Sequence, residues 1–349
     1  MTHRSILPVD LDEALRDTGS KLEVGRRIDG DFRNIVRLLG TIDPHHLSQA
    51  EGDIVSAAAL YRWRRAPLWI ERFFRTRLTD QHQLDLVDGL EYLFLFHRDG
   101  RLREAALRKI QGPIPNAFIL AAIAWRLNDW VDPIRAAAVA CVERTFSRTS
   151  PQVMAEAALV LLVRQGTWGR WGSERGVLDA AFERRDVADI LADIIAKRST
   201  GPMATIFRQS LRSSVLDDHI ERLAVAASQP SVRAAATQSL IDGFASWTVG
   251  WRWQWIDKSM GVRRRETAFE KRPLTTQIDR ATMIRRGLKD RAATVRRVAM
   301  SGLIQHEAAL SDAHRLASEA LTDRSKSVRE RAEFILSRAA SRPAEITEL

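Results

Sequence analysis

An all-α chain built from stacked helical hairpins is predicted by three features of the sequence. A short phrase recurs, with Leu, then Asp two residues on, then a β-branched residue five further, followed at once by Arg. It reads LNDWVDPIRAAA at Leu127 to Ala138, LKDRAATVRRVA at Leu288 to Ala299 and LTDRSKSVRERA at Leu321 to Ala332. A fourth copy, VAASQPSVRAAA at Val225 to Ala236, keeps the spacing but carries Ala227 in place of the Asp. Between the copies, segments such as MAEAALVLLVR and VADILADIIAKR are rich in helix formers with a sustained apolar face. Alternating runs of β-branched residues are hard to find, so no large sheet is expected. One helical hairpin cannot bury its apolar face alone, and a repeat of this length implies that neighbours cover it.

The elements follow in chain order. Residues 1–90 are the least repetitive and are expected to form a helical capping region. The opening MTHRSILPVDLDEALRD interrupts its short apolar stretch with acids too early for a secretory signal. His45 and His46 follow Asp43 and Pro44 in a turn, and adjacent histidines point apart, so a metal site is not expected there. YRWRRAPLWIERFFRTR, from Tyr61 to Arg77, reads as a helix with Trp63, Ile70 and Phe74 as a core stripe under a basic outer face.

Residues 91–245 carry the first repeats. A weak copy, LFLFHRDGRLREAA, puts its marker at Leu102, 32 residues before Ile134. In AFILAAIAWRL the apolar residues fill one side of a first helix that stops near Asn128 and Asp129. Asp132 is placed to cap the second helix, and Pro133 suits its first position. Cys141, the one cysteine, lies among small apolar residues, which removes disulfides and cysteine-based zinc and predicts a buried, inert thiol. RQGTWGRWGSERG, from Arg164 to Gly176, sets Trp168 and Trp171 beside Arg170 and Arg175 in a glycine-rich loop between repeats.

From Val232 to Val295 the markers are 63 residues apart, against 33 from Val295 to Val328, so the gap has room for one degenerate repeat or an insertion. It holds SWTVGWRWQWIDKSMGVRRRETAFEKRPL, residues 246–274, with four of the ten tryptophans. Trp247, Trp251 and Trp255 share a helical face, whereas Trp251, Trp253 and Trp255 share a strand face. Gly250, Gly261 and the polar turn DKSMG favour an extended or hairpin-like insertion. Residues 275–349 then resume the repeats.

The phrase resembles that of HEAT-repeat proteins. The resemblance rests on Asp129, Asp290 and Asp323 and on the pairs Ile134-Arg135, Val232-Arg233, Val295-Arg296 and Val328-Arg329, each followed by small residues. It is good over residues 90 to 145 and 215 to 340 and weak elsewhere. It implies a right-handed α-solenoid in which these Asp and Arg residues link neighbouring repeats structurally rather than act in catalysis.

Charge points to the partner. The formal net charge is +10, and 47 of the 54 basic residues are arginine. Such an excess favours an acidic partner, with nucleic acid the commonest, although a base-composition bias produces arginine equally well. The excess is densest in GVRRRETAFEKRP, at Arg263, Arg264, Arg265, Lys271 and Arg272. Indoles beside guanidinium groups offer stacking and phosphate contacts, and the same pair is typical of protein-interface anchors. The expected contact residues are Trp247, Trp251, Arg252, Trp253, Trp255, Lys258, Arg263, Arg264, Arg265 and Arg272, with Trp168, Arg170 and Trp171 in the glycine-rich loop.

Catalytic patterns are missing: no GxxxxGK[ST] loop, no GxSxG elbow and no HExxH. The reading is a non-catalytic scaffold, without small-molecule cofactor or membrane span, cytoplasmic, binding a protein partner first and nucleic acid second. The enzymatic alternative comes from the resemblance, because some bacterial HEAT-like proteins are alkylpurine DNA glycosylases. This chain is similar in its repeats, basicity and tryptophans, but it is longer, carries the insertion and offers no motif that aligns a catalytic acid. Asp129 sits at the structural Asp of the repeat, so no catalytic residue is carried over.

Overall fold

A computed structural model describes residues 5–28, 32–61, 78–276 and 279–340. Among the described residues the chain is mostly helical, with eighteen α-helices and a single two-stranded sheet. The Trp63, Ile70 and Phe74 stripe lies outside the described residues. No described helix is long and apolar enough to cross a membrane. The chain divides into two compact units, Met1–Val187 and Ala188–Leu349, at a point where the sequence pattern has no boundary.

The first unit begins with α1 (Val9–Glu23), α2 (Phe32–Leu39), α3 (Leu47–Ala57), α4 (Asp80–Leu86) and α5 (Leu90–Phe94). The hairpin pattern follows in α6 (Gly100–Lys109), α7 (Ala117–Arg126), α8 (Asp132–Thr145), α9 (Pro151–Arg164) and α10 (Glu174–Phe182). Helix α7 starts where the Asn116 side chain accepts the Ile119 N–H at 2.9 Å, and it is buried over nearly its whole length. Helix α8 corrects one expectation. Asp132 is its first helical residue and does not cap it; Asp129 instead accepts the Val131 N–H at 3.3 Å, and Asp132 bonds Arg135 at 2.6 Å. Cys141 is fully buried, and burial pushes its thiol up to about 11, which keeps it protonated and unreactive at neutral pH.

Helix α11 (Arg185–Lys197) crosses the division. The second unit continues with α12 (Met203–Ser210), α13 (Ile220–Ala226) and α14 (Pro230–Asp242), then β1 (Phe244–Asp257) and β2 (Val262–Pro273). It closes with α15 (Arg280–Leu288), α16 (Ala293–Gln305), α17 (Ala313–Ala320) and α18 (Lys326–Ala340). Helix α14 packs on α13 and on α16, and α16 packs on α15 and α18, so each second helix lies against the next. Gly302 permits this closeness, since a Cβ there would meet Ile241 at 2.7 Å.

The recurring phrase becomes a chain of forked ion pairs. Arg103 donates to both carboxylate oxygens of Asp129 at 3.1 and 3.0 Å, Arg233 to Asp290 at 2.8 and 2.9 Å, and Arg296 to Asp323 at 2.6 and 2.9 Å. Arg135 reaches Glu174 at 3.1 Å instead. The remaining nitrogen, Nη1, donates to the carbonyl six residues earlier in its own copy. The acceptors are His97, Asp129, Ala227, Asp290 and Asp323, at 2.7 to 2.9 Å from Arg103, Arg135, Arg233, Arg296 and Arg329. Only the carbonyl is needed when no arginine arrives from a preceding hairpin, and this accounts for His97 and Ala227 at the Asp position.

These pairs fix the sign of the acid response. Burial alone would raise Asp129 and Asp290, but the hydrogen bonds from Arg103 and Arg233 hold both below the ordinary aspartate value. At Asp323 the bond from Arg296 dominates and also lowers it. A carboxyl whose pKa is lower in the folded chain adds stability that is complete above its unfolded value of about 4 and lost as pH falls through the native values. Urea unfolding midpoints should therefore hold between pH 7 and pH 5 and fall steeply below about pH 4. A midpoint level down to pH 3 would mean that the forks add nothing net.

Candidate functional site

The described residues place the Trp/Arg segment in a long antiparallel hairpin, the extended form that Gly250 and the DKSMG turn favour. Helix α14 ends at Gly243, whose φ of +74° is left-handed and turns the chain directly into β1. The arm also settles what fills the long marker gap. Arg233 and Asp290 are 57 residues apart and Arg296 and Asp323 only 27, and the difference matches the span Phe244–Pro273. The arm is an insertion into one hairpin, not a degenerate repeat.

Its root is firmly held. Arg272 forks onto Asp217 at 2.9 and 2.6 Å and also donates to the carbonyls of Leu211 and Ser213 at 2.9 and 2.6 Å. Asp217 is buried and accepts the N–H and hydroxyl of Thr275 at 2.9 and 2.8 Å. Gln209 donates to the carbonyl and hydroxyl of Thr248 at 3.0 and 2.8 Å. Trp247 is only 8 % exposed and bonds Glu270 at 3.2 Å. Arg272 and Trp247 thus root the arm, whereas the other arm residues expected as contacts lie further out.

A bulge at Val249 decides which rings face together. The register sets Trp247 opposite Glu270 but Trp251 opposite Thr267, so the extra residue turns the three outer indoles to the face away from Trp247. Trp251, Trp253 and Trp255 are 63 %, 55 % and 50 % exposed. Across from them, Arg263 lies 4.5 Å from the Trp253 ring centre and 5.8 Å from that of Trp255, and Arg265 lies 5.4 Å from that of Trp251. The result is a row of alternating indole and guanidinium about 13 Å long, at ~3.3 Å per residue from Trp251 to Trp255. Arg252 pairs with Glu266 at 3.3 Å and Arg264 with Gln254 at 3.1 Å on the reverse face. Lys258 sits in the turn, where Asp257 accepts the Ser259 and Met260 N–H groups at 2.8 and 3.1 Å.

The same face continues inward to a cleft of about 740 Å³ between the arm root and helices α12, α14 and α16. Thr248, Thr267, Phe269 and Lys271 line it from the arm, and Arg208, Gln238 and Gln305 from the helices. The sequence gives no sign of this cleft. Its walls are separated by up to a hundred positions, and nothing local marks Arg208 among the other arginines.

The glycine-rich loop belongs to the first unit. Trp168 and Trp171 pack on each other edge-on at 4.6 Å, Arg170 stacks on the exposed ring of Trp130 at 3.4 Å, and Arg175 pairs with Asp179 at 3.3 Å. The arginines therefore serve Trp130 and Asp179, not the two loop tryptophans beside them. A separate cleft in that unit, about 940 Å³, is lined by Phe32, Arg37, Tyr92 and Asn116, and burial pushes the Tyr92 hydroxyl up to about 12. Among the described residues, no three His, Cys, Asp or Glu side chains gather as metal ligands would. His45 bonds Asp43 at 2.8 Å. No protein-family model matches the sequence, and no curated protein matches it.

Proposed function

We propose that this protein is a non-catalytic helical-repeat scaffold of the HEAT type, its hairpins stacked as an α-solenoid within each unit, that binds single-stranded nucleic acid along the β1–β2 arm. The observation that carries the reading is the exposed row of Trp251, Trp253 and Trp255 interleaved with Arg263 and Arg265. Indoles at alternate strand positions stand about 7 Å apart, room for one planar ring between neighbours. Guanidinium groups fill that room in the free protein, and they can turn out to phosphates when a base enters. The outer arm, residues 249–266, carries five basic and two acidic side chains, which favours a polyanion.

An acidic protein partner is the second reading. It is favoured by the apolar tip, where Ile256, Met260 and Val262 are all exposed and offer nothing to a phosphate. Fluorescence anisotropy with labelled single-stranded DNA, RNA and duplex DNA over a salt series separates the two. The nucleic-acid reading expects submicromolar binding to single strands, with a slope in log affinity against log salt of about −2 to −3. Weak binding that is equal for all three and indifferent to salt would remove it and leave the tip as the contact.

A further inference from the structure

The cleft at the arm root contains an unsolved problem in electrostatics. Arg208 is half-buried on α12, yet among the described residues its guanidinium makes no hydrogen bond and no ion pair. Its nitrogens stay within reach of water, so the chain supplies no anion to a cation that faces the cleft and is free to meet one there. The neighbouring Gln209 adds a second unmet group, because its Oε1 is buried and has no donor among the described residues. Oε1 is closed off from the cleft, so it is Arg208 that asks for a ligand, one that brings negative charge.

The lining narrows the chemistry. Lys271 lines it from the arm, its Nζ 4.9 Å from the Phe244 ring centre, and Ser239, Ser246, Thr248 and Thr267 supply hydroxyl groups to the same cleft. A carboxylate would occupy only a small part of about 740 Å³, whereas a phosphate with its sugar and base fits that volume. Asp242 lies on the α14 wall with Lys271 offsetting its charge, so the lining carries two cations against one anion. A strand following the indole row inward meets the walls formed by α14 and α16, where Gln238 and Gln305 line the cleft. A strand end suits such a stop better than a continuing chain.

We propose that this cleft seats the terminal phosphate of a nucleic-acid strand lying along the arm, with Arg208 and Lys271 as the cations that receive the phosphate. The proposal rests on the nucleic-acid reading of the arm and adds the polarity with which the strand lies. Anisotropy of the full chain with short oligothymidylates, bearing a 5′-phosphate, a 3′-phosphate or hydroxyls at both ends, tests it directly.

One phosphorylated strand should bind about tenfold tighter than the hydroxyl strand. Arg208→Gln should erase that preference and leave the hydroxyl strand within about twofold of the unmodified protein. Lys271→Gln, exposed and so free of folding effects, should reduce the same preference. Equal affinity for all three strands would overturn the cleft while sparing the arm. Failure of every strand to bind would overturn both.

Discussion

Replacing Trp251, Trp253 and Trp255 together by alanine should lower affinity for single-stranded nucleic acid by two orders of magnitude or more and leave the melting temperature unchanged. Base stacking on an aromatic side chain is worth roughly 1–3 kcal/mol per base. Removing two or three such stacks at once gives a fall of at least about a hundredfold. Stability should not follow, because all three rings are at least half exposed and lie beside arginines of the opposite strand. Trp247→Ala is the contrasting variant. Its ring is buried and bonded to Glu270, so its loss should unsettle the arm root and lower the melting temperature. If the triple variant loses helical circular dichroism instead, the indoles belong to the core and the arm is not a contact surface.

The largest stability effect is expected at Arg233. Its side chain is 2 % exposed and forked onto Asp290, and it holds the Ala227 carbonyl at 2.8 Å. Arg233→Ala strips Asp290 of its partner and leaves a carboxylate with little water, a change that typically costs about 3–5 kcal/mol. Arg286→Ala provides the control, since the Arg286–Glu221 pair is about half exposed on both sides and exposed pairs contribute little. Urea unfolding monitored by circular dichroism should separate the two variants clearly. Similar midpoints would mean that water reaches the Arg233 fork and that the forks are not what joins the hairpins.

The repeat was legible because its cause is local and periodic. An Asp six residues before an Arg is enough to announce the turn, the helix start and the fork; the structure forms that Asp fork three times and the bond from the Arg to the carbonyl six residues back five times. The extended insertion was legible through Gly250 and the DKSMG turn, since both glycines adopt backbone angles that other residues avoid. The bulge at Val249 was not, because nothing in that residue's chemistry states that it stands unpaired, and with it went the distinction between Trp247 and the three outer indoles. Arg272 and Arg208 look alike in sequence. One is consumed by Asp217 and the other is left without a counter-charge, a difference that only the long-range assembly of the arm root creates.

The paired ends of the arm have a further consequence. Phe244 and Pro273 are direct partners across the strands, so the thirty-residue excursion leaves and returns at one spot. The Arg233–Asp290 fork closes beneath it as the shorter Arg296–Asp323 fork does elsewhere. The helices beneath do not register how long the excursion is. The junction behaves as a socket, and beyond the root held by Arg272 and Trp247 what is plugged into it can change in length, sequence or ligand without renegotiating the fold of the body that carries it.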